Sequence, residues 1–140
     1  MSVSPEVLVT AARHLLLPEP GTAHTLTPGV RARAAAVLLR LALDVALDRY
    51  WLRVTRSMTR IGRHRMLCLE WYAGRDTARR CSTTWASLSA ACHYRGHELP
   101  LAPAEMHVRL LEVSDLLEAL APRTHESLRC TSRASANWWR

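Results

Sequence analysis

The stretch TPGVRARAAAVLLRLALDVALDRY, Thr27 to Tyr50, decides the fold. Thr27 before Pro28 is a typical helix start, because the threonine oxygen accepts a backbone N–H and proline has none to satisfy. The apolar residues that follow fall on two faces of one long helix: Val30, Ala34, Val37, Leu38, Leu41 and Val45 on the first, and Leu39, Leu43, Leu47 and Tyr50 on the second. A helix that is apolar on two sides is buried by neighbours on two sides. We therefore expect this helix at the centre of the fold.

Four further helices are predicted around it, and no segment alternates like a strand. They lie within residues 4–17, 59–72, 75–94 and 103–121, with Gly74 and Pro122 as stops. The predicted fold class is all-α, a single antiparallel bundle of four to five helices over residues 1–122. Residues 123–140 form a basic tail that we expect to be loosely ordered. Its Trp138 and Trp139 are candidates for stacking on bases, for anchoring in a partner's groove or for covering an apolar seam.

Composition bounds the function classes. The chain has 140 residues and a net charge of +7, and each of its 19 basic residues is an arginine. Arginine binds phosphate well, so a nucleic acid is a candidate partner; codon bias is the alternative explanation for the missing lysines. The most apolar run carries Arg40 and Asp44, and no basic leader precedes an apolar segment. We expect a cytoplasmic protein without membrane association.

The stretch SLSAACHYRGHELP, residues 87–100, is the strongest candidate for chemistry. His93 and His97 share a helix face only if the helix continues, and Gly96 with Pro100 indicates that it stops. Neither these histidines nor the four cysteines have the spacing of zinc ligands. We predict no metal and no cofactor. The plainest interpretation of His93 is a helix-terminal residue that suits the negative helix end.

Two segments carry a family resemblance. The segments WASLSAACHYRGHELPLAPAEMHVRLLEVSDLL, residues 85–117, and RAAAVLLRLALDVALDRYW, residues 33–51, resemble the HEPN superfamily of small helical-bundle domains. The resemblance covers about residues 4–120. In that family a helix ends in an arginine, a polar residue, a few spacers and a histidine. Members are either metal-independent ribonucleases, which pair the arginine and histidine across a symmetric dimer, or non-catalytic modules that bind RNA or nucleotides or dimerise.

Carried over by position, His93 matches the family histidine and Ser89 the polar residue, while the arginine position falls on Leu88. Arg95 is the nearest arginine in sequence. Cleavage of RNA without a metal needs a cation near the phosphate, so the departure at Leu88 counts against catalysis. The resemblance therefore implies a non-catalytic homodimeric module for RNA or a partner protein, of toxin–antitoxin or defence type. The alternatives are a metal-independent ribonuclease using His93, Ser89 and Arg95, and a protein adaptor.

A second basic segment is RYWLRVTRSMTRIGRHR, residues 49–65, which contains no acidic residue. On one continuous helix its arginines would line up as a stripe that follows a phosphate backbone. Gly62 and the polar residues before it instead predict a break. The alternative is a solvated face, or one paired with the acidic residues of the last helix within the fold or across a dimer. The predicted RNA contacts are Arg53, Arg56, Arg60 and Arg63.

Overall fold

The computed structural model describes residues 3–21, 25–55, 57, 62–93 and 102–122. These ranges contain five helices and no strand: α1 Pro5–Leu16, α2 Pro28–Val54, α3 Gly62–Ala73, α4 Arg75–Cys92 and α5 Pro103–Leu120. The predicted all-α bundle is confirmed. The tail at 123–140, with Trp138 and Trp139, lies outside the described residues, so the prediction for it stays a prediction.

Helices α1, α2, α4 and α5 form a bundle in which neighbours run in opposite directions. Hydrogen bonds between residues at the same height along the bundle show these directions. They join Arg49 to Val3, Arg33 to Cys92, Trp85 to Asp44, and Thr84 to Glu112. Helices α2 and α5 lie diagonally across the bundle and run in the same direction. This is shown by the Arg53 guanidinium, which donates to the Leu120 carbonyl where both helices end. The arrangement is an up-down-up-down bundle, and α3, which lies between α2 and α4 in the chain, packs against α4.

Helix α2 is the central element, as predicted, and it packs against α1, α4 and α5. Its start is also as predicted, since Thr27 Oγ1 accepts from the Val30 N–H at 3.4 Å and Pro28 follows. The expectation that both apolar faces are buried is wrong in part. Val30, Val37 and Leu41 are 50%, 49% and 47% exposed. They lie on the side of α2 that α1 and α4 flank without covering.

The interior consists of two clusters stacked along the bundle. One is built from α1, the first half of α2, the end of α4 and the start of α5, and it is rich in alanine: Ala12, Ala32, Ala35, Ala36, Ala42 and Ala91. The other joins the second half of α2 to α3, the start of α4 and the end of α5, around Trp51 and Leu69. Trp51 makes edge-to-face contacts with Tyr50 and Tyr72, each at 5.3 Å between ring centroids. We call these the alanine core and the tryptophan core.

Two breaks in the helices position the side chains discussed below. Helix α2 ends at Val54 and α3 begins at Gly62, so Arg49 and Arg53 belong to one helix and Arg63 and Arg65 to another, in agreement with the predicted break. Gly74 alone separates α3 from α4 and has φ +91°, a value that disfavours any residue with a Cβ. Among the described helices, none combines the length and apolarity that crossing a membrane requires.

Candidate functional sites

His93 lies directly after α4 and is exposed. Its backbone N–H donates to the carbonyls of Ser89 and Ala90, both at 3.2 Å, which tightens the last turn. The predicted end of the helix near His93 is therefore confirmed. Arg95, with the rest of residues 94–101, lies outside the described residues, so its place in the site stays a prediction.

An arginine of α2 lies against the end of α4. Arg33 Nε and Nη2 donate to the carbonyl oxygen of Cys92 at 3.2 and 3.1 Å, immediately before His93. The two residues of this bond are 59 positions apart in the chain. No local spacing indicates such a contact; only the antiparallel pairing of α2 and α4 brings it about. The guanidinium both satisfies a free carbonyl and opposes the negative end of α4.

The two motif positions inside α4 differ in their surroundings. Leu88 is fully buried in the alanine core, as its place on the apolar stripe indicated. An arginine there would place an unpaired charge in the interior. Ser89 is half-buried, and its Oγ has no hydrogen-bond partner among the described atoms. The hydroxyl at the position that aligns with the family's polar residue therefore has no partner among the described residues.

Four helices bring basic residues to the end of the bundle that contains His93. We define the His93 end by the last turn of α1, the first turns of α2 and α5, and the end of α4. Its basic side chains are Arg13, His14, Arg31, Arg33, His93 and His107. Two further unsatisfied buried atoms among the described residues lie at this end, Arg31 Nε and His107 Nδ1. Arg13, Arg31 and Arg33 could not be recognised as a group from the sequence, because they are dispersed along the chain.

The described acids at the His93 end are Glu19 and Glu105, and neither forms an ion pair with a described arginine. Glu105 is occupied in capping, since its carboxylate accepts the Ala102 N–H at 3.3 Å. The ion pairs between described residues all lie elsewhere in the bundle: Arg65–Asp48, Arg75–Glu70, Arg80–Asp115 and Arg109–Glu112. The described arginines of the His93 end, Arg13, Arg31 and Arg33, thus have no acidic partner among the described residues.

The predicted arginine stripe is divided between different uses. Arg53 binds the Leu120 carbonyl and lies 5.9 Å from the Tyr50 ring centroid. Arg63 is exposed in the first turn of α3 and forms no ion pair with a described residue. Arg56 and Arg60 lie outside the described residues. The break after α2 therefore leaves Arg63 as the described member of the stripe that is free of such contacts.

A pocket of about 380 Å³ lies between α2, α3 and α4. The residues that line it are Asp44, Leu47, Arg63, Arg65, Met66, Ser82, Trp85 and Ala86. This volume is within the range of small-molecule sites, which are mostly apolar with a few polar groups. This pocket could not be identified from the sequence, because its walls come from three helices that meet only in the folded protein.

A polar network forms one wall of this pocket. Trp85 Nε1 donates to Asp44 Oδ1 at 3.0 Å, and the Arg40 guanidinium lies 4.8 Å from the Trp85 ring centroid. Burial raises the pKa of the Asp44 carboxyl above its ordinary value, against the lowering effects of the Trp85 N–H and the Arg40 charge. Arg65, in the pocket lining, pairs with Asp48.

The remaining chemistry concerns metal ligands and the thiol of Cys81. No group of three or more histidine, cysteine, aspartate or glutamate side chains there is arranged to hold a metal ion. Cys81 is fully buried in the tryptophan core, and burial raises the pKa of its thiol to about 11. A thiol of this kind is a packed core residue rather than a nucleophile.

No protein-family model, no curated protein and no solved structure matches this chain.

Proposed function

We propose that this chain is a HEPN-like, non-catalytic module that binds RNA through phosphate contacts at the His93 end. The observation that carries the proposal is the grouping of arginines at one end of the bundle. Arg13, Arg31 and Arg33 all lie at the His93 end, and none of them forms an ion pair with a described acid. Cations without internal partners are those left to bind an external anion.

Three features of this end favour phosphate as the ligand. Arg33 is held in place by two hydrogen bonds to one carbonyl, which leaves three of its five N–H donors for a ligand. Helices α2 and α5 both begin here, and the N-terminus of a helix favours negative charge. His93 is exposed beside Arg33 and adds a further donor.

Arg53, Arg56, Arg60 and Arg63 remain proposed contacts for the same RNA. We also propose that the module is a homodimer, in line with the family resemblance, and that it acts in a toxin–antitoxin or defence setting. The dimer is tested by light scattering after size exclusion, where it has twice the 15.8 kDa mass of one chain. A mass of one chain at all concentrations would contradict it.

The test of RNA binding uses a labelled, mixed-sequence single-stranded RNA and fluorescence anisotropy over a series of salt concentrations. Arg33→Gln is compared with Arg79→Gln, which removes the same charge from an exposed position near the start of α4. We expect Arg33→Gln to weaken binding about fivefold at low salt and to lower the salt slope by about one. Arg79→Gln is expected to change neither.

Absence of RNA binding at low salt would contradict the proposal, and equal losses in the two variants would contradict the assignment to the His93 end. Arg33 also binds the α4 carbonyl, so each variant's thermal unfolding is measured alongside. Arg33→Lys serves as the conservative variant that keeps the charge but loses the planar fork.

A ribonuclease is the second candidate, and the proximity of Arg33 to His93 favours it. Metal-independent cleavage needs a cation for the phosphate and an acid or base. Arg33 of α2 and His93, which meet at the end of α4, are residues of these two kinds. The RNA from each titration is therefore run on a gel. Cutting that His93→Ala abolishes, with the helical circular dichroism unchanged, would replace the binding module with the enzyme. Cutting that survives His93→Ala would exclude His93 as its catalytic residue.

A protein adaptor is the third candidate. The observation in its favour is an apolar pair on α3, where Leu67 and Trp71 are 65% and 89% exposed one helical turn apart. Such a surface predicts binding to a partner protein with little dependence on salt. Loss of that binding in the double variant Leu67→Ser and Trp71→Ser, with RNA binding unchanged or absent, would support the adaptor.

A further inference from the structure

The pocket between α2, α3 and α4 combines an apolar interior with a charged rim. Leu47, Met66 and Ala86 supply aliphatic surface, and the Trp85 ring supplies an aromatic one. Arg63, in the first turn of α3, is an exposed lining residue. This arrangement suits a ligand with an apolar body and a polar group at one end.

The charges around the pocket determine the sign of that polar group. Asp44 is bound by the Trp85 N–H and lies close enough to Arg40 to feel its charge. Arg65 is paired with Asp48. Arg63 forms no ion pair with any described residue, so the lining has one cation that the described part of the fold does not neutralise.

We propose that this pocket binds an amphipathic organic anion, an apolar ring system or short chain that carries one carboxylate or sulfonate group. The apolar body fills the space beside Trp85 and Met66, and the anionic group pairs with Arg63. The volume of about 380 Å³ accommodates two or three rings but not a long lipid chain. This inference shares Arg63 with the proposed RNA contacts but uses none of the side chains of the His93 end, and its test contains no RNA, so it holds or fails separately from RNA binding.

The probe is anilinonaphthalene sulfonate, an apolar anion whose fluorescence rises on binding. Its uncharged counterpart is phenylnaphthylamine, which has the same ring systems without the sulfonate. Both are titrated into the full chain and into two variants, Arg63→Gln and Ala86→Trp. Ala86 is exposed on α4 and lines the pocket, so a large side chain there blocks the site without entering the core. Arg79→Gln is again the charge-matched control.

We expect Arg63→Gln to lower the affinity for the anionic probe about five- to tenfold and to leave the affinity for the neutral probe unchanged. Ala86→Trp should lower the affinity for both probes at least about tenfold, and Arg79→Gln should change the affinity for neither. Ser82→Trp, at another exposed lining position, repeats the blocking experiment if the helical circular dichroism of Ala86→Trp differs from that of the unmodified chain.

Several outcomes would overturn the inference. Failure of the anionic probe to bind the unmodified chain would exclude the pocket as a site for this class of ligand. Full binding after the pocket is blocked would place the probe elsewhere on the protein. Equal weakening of both probes by Arg63→Gln, or weakening of the anionic probe by Arg79→Gln, would contradict the role of Arg63.

Discussion

The two ends of the bundle differ both in how their helices pack and in how their arginines are used. The end with the alanine core places helix backbones close together and carries Arg13, Arg31 and Arg33 without acidic partners. The end with the tryptophan core is filled by aromatic rings, and its surface carries the ion pairs Arg65–Asp48, Arg75–Glu70 and Arg80–Asp115. An ion pair within the fold neutralises a charge that could otherwise bind a ligand. We therefore expect stability to depend most on the end with the tryptophan core, and anion binding on the end with the alanine core.

The largest effect on stability should come from removing the ring at the centre of the tryptophan core. Trp51 is 1% exposed and contacts two tyrosine rings. Trp51→Ala is expected to lower the free energy of unfolding by about 3–5 kcal/mol, measured by urea denaturation. Trp71→Ala is the matched control, because Trp71 is 89% exposed on α3, and it should change stability by less than about 0.5 kcal/mol. Similar losses in both variants would contradict the distinction between a packed and an exposed tryptophan.

A smaller effect is expected from enlarging a residue of the alanine core. Ala35 is fully buried where α2 meets its neighbours, and a leucine there has no space unless the helices move apart. We expect Ala35→Leu to destabilise the fold by about 1–3 kcal/mol, and Ala90→Leu, at an exposed position of α4, to change stability by less than about 0.5 kcal/mol. Stabilisation by Ala35→Leu would mean that the helices at this end are not closely packed.

The smallest effect concerns the Asp44 carboxyl and should depend on pH. Its pKa is raised in the folded protein, mainly by burial, so the folded state holds the proton more tightly than the unfolded chain does. Ionisation therefore costs stability as pH rises from the ordinary aspartate value, about 4, through the folded one. We expect Asp44→Asn to be more stable than the unmodified chain at pH 7, by less than about 1 kcal/mol because the group is half exposed. The difference should disappear at acid pH.

Asp48→Asn provides the contrast, since Asp48 is exposed and pairs with Arg65. Its loss should lower stability at pH 7 by no more than about 1 kcal/mol. Both variants are compared with the unmodified chain by denaturation at several pH values. A stability loss in Asp44→Asn at neutral pH would show that the bonds of the carboxylate outweigh its burial.

The helices could be predicted from the sequence because their signals are local. Thr27 with Pro28 begins α2, Gly74 separates α3 from α4, and an apolar stripe containing Leu88 marks the buried side of α4. The prediction that went wrong, burial of Val30, Val37 and Leu41, depended on how many neighbours cover a helix, and periodicity does not carry that number.

The candidate sites were only partly predictable, for the same reason. His93 could be found because a helix stop and a family resemblance both point to it. Arg33 could not, since its contact with the Cys92 carbonyl joins residues 59 positions apart. The pocket could not be predicted from the sequence either, because Asp44, Arg63 and Trp85 are on separate helices and line one cavity only after the helices pack.

The sequence by itself determined the helical class, the helix starts and stops and the chain's excess of arginine, all of which follow from residues within a few turns of one another. Tertiary structure decided which arginines are paired and which remain available, because Coulomb and hydrogen-bond interactions act over a few ångströms whatever the separation in sequence. The His93 end and the pocket both arise from that second kind of information.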